Sequence, residues 1–272
     1  ANYTVTGLAG NIVQTGSYNF VSSGPNTQFP VLLSQLYDNS NFYFFNIEII
    51  DSSSTVLTSS SASFMVFQNT IMPQVSNLLA FGDSLSDMGN AKDSILNVPD
   101  VPPYWQGRFS NGPVWLEYVS EAYGLTTTVG SLSEQGDNRA FGGAQTGQGF
   151  SYLLLPNVGT QIGNYLANVQ TAIPSNDIIA LWAGGNDFLY GTANSDTIVA
   201  NMESHLRQLH EAGARQFIIP NLPPLEKTPE ILSRSQSQQS NIASEVISYN
   251  TKLTNLISDL IAELSITVYF ID

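Results

Sequence analysis

The sequence predicts an α/β fold with a parallel sheet, preceded by a small β-rich domain. In residues 1–75, short aromatic and β-branched runs alternate with Ser, Asn and Gly clusters, which is typical of β structure. From residue 76 onward, apolar strand-like runs alternate with longer amphipathic segments, as in a parallel sheet covered by helices. The chain of 272 residues is long enough to bury a large core without disulfides.

The N-terminal region is interpreted as a small β-rich domain over residues 1–75. Residues 41–50 predict one strand because seven of the ten are aromatic or β-branched, and residues 64–67 predict another. The Ser- and Thr-rich stretch 51–63 between them is expected to be the connection. We place the boundary to the second domain, residues 76–272, near Met72 and Pro73.

Strands and helices are predicted to alternate in the second region. The predicted strands are residues 78–81, 177–182, 215–219 and 266–271, and the predicted helices are residues 114–123, 160–172, 196–212 and 229–264. Because open α/β sheets bind ligands at the carboxyl ends of their strands, we expect functional residues just after these strands.

Composition narrows the function classes. The chain has 8 Lys and Arg against 22 Asp and Glu, a formal charge of −14, which disfavours nucleic acid as a partner. It has no cysteine and two histidines, so no zinc cluster is expected, and no other metal or cofactor is implied. The low charged fraction of 11% favours a secreted protein, in which Ala1 follows a cleaved signal peptide.

The segment after the first strand of this region carries a candidate nucleophile. Residues 79–81 run directly into Gly82, Asp83 and Ser84, so Ser84 is expected at the carboxyl end of a strand and at the N-terminus of a helix. A helix N-terminus favours developing negative charge. The alternative is that Ser84 only caps the helix and Gly82 only allows a turn.

Two further segments supply the groups that an acyl-transfer site needs. Attack on an ester creates an oxyanion, which is stabilised by backbone N–H groups that approach closely and by neutral side-chain amides. Gly143 lies in a Gly-rich turn within residues 138–144, and Asn186 follows the apolar strand 178–182. Either segment alone is commonly just a turn or a cap, but their order after Gly-Asp-Ser favours a shared site.

Together, these segments resemble the GDSL family of lipases and acylhydrolases, in the SGNH hydrolase superfamily. Residues 82–85 (Gly-Asp-Ser-Leu) match its first block, residues 138–144 its second and residues 184–187 (Gly-Gly-Asn-Asp) its third. Residues 107–115 and 221–224 resemble its connecting segments. The resemblance covers about residues 77–272 and does not reach the β-rich region.

The resemblance implies a three-layer α/β/α, flavodoxin-like fold and a role for each matching residue. It implies Ser84 as the nucleophile, with an oxyanion hole formed by the Ser84 N–H, the Gly143 N–H and the Asn186 side-chain amide. Which glycine of the pair donates is left open, with Gly143 preferred. Asp83 and Asp187 are interpreted as structural residues that hold their turns through local hydrogen bonds.

Residues 84–90 are also similar to the bacterial branch that contains secreted phospholipases, lysophospholipases and glycerophospholipid:cholesterol acyltransferases. This similarity implies a bacterial, extracellular protein that acts on lipid esters at membrane surfaces, with water or a sterol as the acyl acceptor. A carbohydrate esterase of the same fold is one alternative.

The sequence departs from the family pattern in one respect, since the Asp-x-x-His block that supplies the catalytic base is absent. His205 and His210 lie within the predicted helix 196–212, where an ordinary structural role is expected. We therefore expect the block outside this chain, for example on a second polypeptide fragment. A non-catalytic binding module without the base is the remaining alternative.

Overall fold

The computed structural model describes residues 2–7, 12–17, 41–50, 55–66, 75–129, 136–169, 172–191 and 194–272. The chain divides into two compact units, Ala1–Gln74 and Val75–Asp272. The predicted boundary at Met72 and Pro73 lies outside the described residues. No helix in the described ranges is long and apolar enough to cross a membrane.

The N-terminal unit contains a four-stranded antiparallel sheet in the order β2-β1-β3-β4. Its strands are β1 (Asn2–Gly7), β2 (Ile12–Ser17), β3 (Asn41–Ile50) and β4 (Val56–Val66). The strand predicted over residues 41–50 is confirmed. The connection predicted over residues 51–63 is wrong from Val56 onward, because Ser59 to Ser63 pair with Glu48 to Phe44 of β3. A ladder joins backbone groups, so a Ser-rich sequence can extend it.

The second unit contains a four-stranded parallel sheet in the order β5-β6-β7-β8, so the predicted α/β class is confirmed. Its strands are β5 (Leu78–Gly82), β6 (Ile178–Trp182), β7 (Gln216–Pro220) and β8 (Thr267–Ile271). Its helices are α1 (Asn90–Asp93), α2 (Trp115–Ala122), α3 (Val158–Asn168), α4 (Gly185–Tyr190), α5 (Ser195–Glu211), α6 (Pro229–Leu232) and α7 (Gln236–Leu264).

Helices cover both faces of this sheet. Successive strand residues point to opposite faces, so Leu79 and Phe81 pack in one buried cluster with residues of α3, α5 and α7. Leu78 and Ala80 pack in a second cluster with Leu116 of α2. The two clusters give this unit a helix–sheet–helix arrangement of three layers.

The long helix predicted over residues 229–264 is two helices. The first, α6, ends at Leu232, and α7 begins after Ser235. The Ser235 side chain accepts a bond from the Gln238 N–H while the Gln238 side chain accepts one from the Ser235 N–H. This reciprocal capping box satisfies N–H groups at the start of α7 and fixes a new helix start.

Candidate active site

Ser84 lies just past the carboxyl end of β5, as predicted, and its side chain is partly exposed. The expected helix N-terminus at Ser84 is wrong. The chain instead makes a turn in which the Leu85 N–H donates to Asp83 Oδ1 at 3.0 Å and the Ser86 N–H donates to the Asp83 carbonyl at 3.0 Å. The next helix, α1, is a single turn that begins only at Asn90.

Gly82 allows the close strand spacing that leads into this turn. It has a φ of 156°, and a Cβ built on it would overlap the carbonyl oxygen of Trp182 on the neighbouring strand β6. Because that oxygen belongs to the backbone, it cannot move aside without separating the two strands. A residue without a Cβ is therefore required where β5 ends.

Asp87 connects the Ser84 turn to the Gly-rich turn. One carboxylate oxygen, Oδ1, accepts the N–H groups of Gly89 at 2.8 Å and Asn90 at 2.6 Å. The other oxygen, Oδ2, accepts the N–H groups of Ala91 at 3.1 Å and Gly142 at 2.8 Å. A buried carboxylate thereby satisfies the start of α1 and fixes the peptide that precedes Gly143.

Buried amides reinforce this connection. Asn138 Nδ2 donates to the Ser86 carbonyl at 2.7 Å, and Asn90 Nδ2 donates to the carbonyls of Asn138 and Ala140, both at 2.9 Å. In addition, residues 137–139 pair with the outer edge of β5 through Ala80. The Gly-rich turn is thus held beside the Ser84 turn along its whole length.

The paired glycines of this turn differ in their hydrogen bonds. The Gly142 N–H is taken by Asp87, whereas the N–H groups of Gly143 and Ser84 have no acceptor among the described residues. Gly143 has a φ of 79°, in the left-handed region that glycine adopts readily. Of the two glycines, Gly143 is therefore the one whose N–H is available to a bound group.

Asn186 is buried on the first turn of α4, which follows β6, the neighbour of β5 in the sheet. Its Nδ2 donates one hydrogen to the Ala144 carbonyl at 2.9 Å. The second hydrogen of the amide remains for another acceptor. The same bond attaches Asn186 to the residue after Gly143, and the bond from the Gly142 N–H to Asp87 attaches the residue before Gly143 to the segment that follows the Ser84 turn.

Three buried carboxylates surround these turns. Burial and, to a smaller extent, the nearby carboxylates of Asp187 and Asp87 raise the pKa of Asp83 to about 7, although the bond from the Leu85 N–H opposes the shift. Burial also raises the pKa of Asp87 and that of Asp187 to about 6, although backbone N–H bonds oppose the shift at Asp87 and bonds from Thr146 oppose it at Asp187. The site is therefore a low-dielectric, acidic environment beneath the partly exposed Ser84 side chain.

Asp187 holds a distant loop and not its own turn. Its carboxylate accepts both the N–H of Thr146, at 3.0 Å to Oδ2, and the Thr146 hydroxyl, at 2.7 Å to Oδ1. The expectation of a local bond is confirmed for Asp83, through Leu85, and is wrong for Asp187. Asp187 therefore fixes the segment that leaves the Gly-rich turn.

Neither histidine contacts the Ser84 turn. His205 is buried on α5, its Nε2 lies 2.7 Å from the Thr146 carbonyl, and burial lowers its pKa. His210 lies near the end of α5 that precedes β7, which is the edge of the sheet where strands begin. Ser84 lies at the opposite edge, so the structural role expected for both histidines fits their positions.

Sequence reasoning did not identify Asp87, Asn90 and Asn138 as site residues. A usable signal was present, since Asp87-x-Gly89-Asn90 follows Ser84 closely and each side chain is a strong hydrogen-bonding group. Across the described ranges, no group of His, Cys, Asp and Glu could hold a metal ion.

Comparisons with known proteins identify a family to which this chain is similar. The profile of the GDSL-like Lipase/Acylhydrolase family matches residues 78–271. The chain is 33% identical over 181 residues to the thermolabile hemolysin of Vibrio parahaemolyticus, which covers 65% of this chain and 41% of that protein. It is 31% identical over 195 residues to the phosphatidylcholine-sterol acyltransferase of Aeromonas hydrophila, with 66% and 53% covered.

A third relative is a secreted effector protein of Salmonella typhimurium, 24% identical over 199 residues, with 71% of this chain and 45% of that protein covered. The chain thus spans about half the length of these curated relatives.

Proposed function

The chain belongs to the GDSL-like lipase/acylhydrolase family, and on that premise we propose that it hydrolyses or transfers the acyl group of a lipid ester, with Ser84 as the nucleophile. The observation that carries this proposal is the set of donors beside Ser84. The N–H groups of Ser84 and Gly143 are unused among the described residues, and Asn186 has one amide hydrogen to spare.

The reaction begins when a base removes the proton of Ser84 Oγ and the oxygen attacks the ester carbonyl. The carbonyl oxygen becomes an oxyanion, which accepts hydrogen bonds from the Ser84 N–H, the Gly143 N–H and Asn186 Nδ2. The C–O bond to the alcohol then breaks, the alcohol leaves with the proton from the base, and Ser84 carries the acyl group. Water or a second alcohol then gives its proton to the base and attacks the acyl carbon. The bond to Ser84 Oγ breaks, the base returns the proton to Oγ, and a carboxylic acid or a new ester leaves.

The base in this proposal is a histidine from outside the 272 residues. His205 is committed to the Thr146 carbonyl, and His210 lies toward the opposite edge of the sheet. The family's Asp-x-x-His block, on the same polypeptide or on a second fragment, is the proposed source. The binding-module alternative differs from this proposal only in lacking that block.

The names of two similar proteins support a substrate class for this proposal. One relative is named a phosphatidylcholine-sterol acyltransferase, and another is named a secreted effector, so we propose a phospholipid or lysophospholipid at a membrane surface as substrate, with water or a sterol as acceptor. An extracellular, bacterial location fits the same relatives.

Hydrolysis of p-nitrophenyl butyrate by the full-length polypeptide tests the nucleophile. Ser84→Ala is expected to lower kcat by at least a thousandfold, because the acyl acceptor is gone. Ser86→Ala is the matched control, since Ser86 lies in the same turn but is buried and accepts a bond from the Trp115 indole at 3.1 Å. Full activity in Ser84→Ala, or equal losses in both variants, contradicts the assignment.

Acetylated saccharides and long-chain lysolipids, offered to the same polypeptide, separate the proposed substrate from that of a carbohydrate esterase. A higher kcat/KM on lysolipids supports the lipid proposal, and a higher value on saccharides contradicts it.

A further inference from the structure

A short hairpin after the Gly-rich turn presents apolar side chains to solvent. Phe150 and Pro156 form an isolated antiparallel bridge, and the Ser151 N–H donates to the Leu155 carbonyl at 2.8 Å. Within this hairpin, the side chain of Leu154 is 75% exposed and that of Phe150, at its start, is 63% exposed. We call residues 150–156 the hairpin tip.

Leu154 is also held in an unfavourable backbone conformation. Its φ is 55°, in the left-handed region that favours Gly or Asn and disfavours a branched apolar residue. An exposed leucine at such a position gains neither burial nor relaxed geometry. Because both its exposure and its backbone conformation are unfavourable to the folded state, Leu154 is expected to have a role other than stabilising the fold.

The hairpin tip lies against the proposed oxyanion site. A Cβ built on Gly143 would come within 3.0 Å of Leu153 Cδ1 and 3.4 Å of Tyr152 Cε1, so these side chains pack directly on Gly143. The ring of Tyr152 lies 4.7 Å, centroid to centroid, from the ring of Tyr190. Tyr190 is the last residue of α4, the helix that carries Asn186.

The distribution of charge indicates which kind of surface the hairpin tip can bind. From Ala140 to Asn176 the sequence contains no Asp, Glu, Lys, Arg or His, although the chain as a whole carries a charge of −14. An anionic surface is repelled by the chain, and a cationic one finds no partner in the tip. The exposed tyrosines, Tyr152 and Tyr190, have the apolar body and polar end that suit a membrane–water interface.

We propose that the hairpin tip inserts Phe150 and Leu154 into the surface of a zwitterionic lipid bilayer and so delivers the lipid ester to the oxyanion site. This inference rests on the proposed function, because the tip borders Gly143 and the helix of Asn186. The tyrosine pair then lies at headgroup level, between the bilayer and Ser84.

Binding of the full chain to phosphatidylcholine vesicles tests the proposal, in a Ser84→Ala background that leaves the lipid intact. Leu154→Asn is expected to lower the partition coefficient about tenfold or more, because an inserted leucine contributes about one to two powers of ten. The melting temperature of Leu154→Asn should equal or exceed that of its parent, since Asn tolerates the left-handed conformation. That result excludes misfolding as the cause of lost binding.

Ile247→Asn is the matched control, because Ile247 lies on α7, is 67% exposed and is outside the tip. Its binding should be unchanged. Equal binding by Leu154→Asn and its parent, equal losses in Leu154→Asn and Ile247→Asn, or tighter binding to phosphatidylglycerol vesicles than to phosphatidylcholine overturns the proposal.

Hydrolysis of soluble p-nitrophenyl butyrate by the unsubstituted full-length polypeptide separates the two levels of inference. Hydrolysis without any binding to phosphatidylcholine vesicles overturns the docking surface and leaves the proposed function standing. Vesicle binding that depends on Leu154, without hydrolysis of any ester, supports the docking surface and contradicts the proposed function.

Discussion

Replacement of Asp87 by asparagine separates the positioning of the oxyanion donor from the stability of the fold. Asp87 accepts four backbone N–H groups, and asparagine keeps one acceptor atom in the same volume. The two hydrogen bonds from the Gly89 and Asn90 N–H groups are expected to persist, with the asparagine oxygen as their acceptor. The asparagine NH₂ then faces Ala91 and Gly142, and the Gly142 peptide loses its anchor.

The substitution Asp87→Asn changes stability in two opposing ways, through lost hydrogen bonds and through removal of a buried charge, and these nearly cancel. Two buried N–H donors without acceptors cost about 4 kcal/mol together. Burial raises the pKa of Asp87 from 3.8 to about 6, so removal of the charge returns about 3 kcal/mol at neutral pH. The free energy of unfolding should therefore fall by only about 1 kcal/mol, which is about 2–4 °C in melting temperature for a unit of this size.

The effect on catalysis should be larger. Loss of one oxyanion donor costs about 10²–10³ in kcat. Because Gly143 is misaligned in Asp87→Asn and not removed, we expect kcat for p-nitrophenyl butyrate to fall about 10- to 100-fold at an unchanged KM. The full-length polypeptide is assayed beside Asp93→Asn, whose carboxylate lies exposed on the same helix, α1. A kcat for Asp87→Asn within twofold of the unsubstituted protein refutes the positioning role.

Two further predictions concern packing and pH. Gly142→Ala places a Cβ on the ring of Phe109, so it should lower the free energy of unfolding by about 1–3 kcal/mol, and Phe109→Leu in the same chain should recover part of that loss in urea titrations. Because burial raises the pKa of Asp83 to about 7, the folded chain keeps a proton that the unfolded chain releases above pH 4. The free energy of unfolding should therefore decrease between about pH 4 and 7, and Asp83→Asn should flatten that decrease; an identical slope contradicts the assignment.

The sheet was predictable because each strand of the second unit is an apolar run with a clear break after it. β5 to β8 begin and end within one residue of the predicted bounds. The start of β4 was not predictable in this way, since its Ser-rich half is specified by its partner β3 and not by its own residue types. The break between α6 and α7 depends on Ser235, which resembles any exposed helical serine until its capping bond to Gln238 is seen.

The predicted site residues share one local property, namely that each lies shortly after a strand or within a Gly-rich turn. The connections between them are not local. Asp87 reaches Gly142, and Asp187 reaches Thr146, because folding brings separate turns to one edge of the sheet. The choice between Gly142 and Gly143 as donor likewise depended on a long-range bond, since Asp87 occupies only the Gly142 N–H.

The reactivity of Ser84 itself tests the central proposal most directly. The full-length polypeptide is treated with a fluorophosphonate, which phosphonylates an activated serine, and its peptides are examined by mass spectrometry. A single adduct on Ser84, with loss of esterase activity in the same proportion, is the expected result. An adduct on another serine, or full labelling with activity retained, contradicts the assignment of Ser84 as the nucleophile.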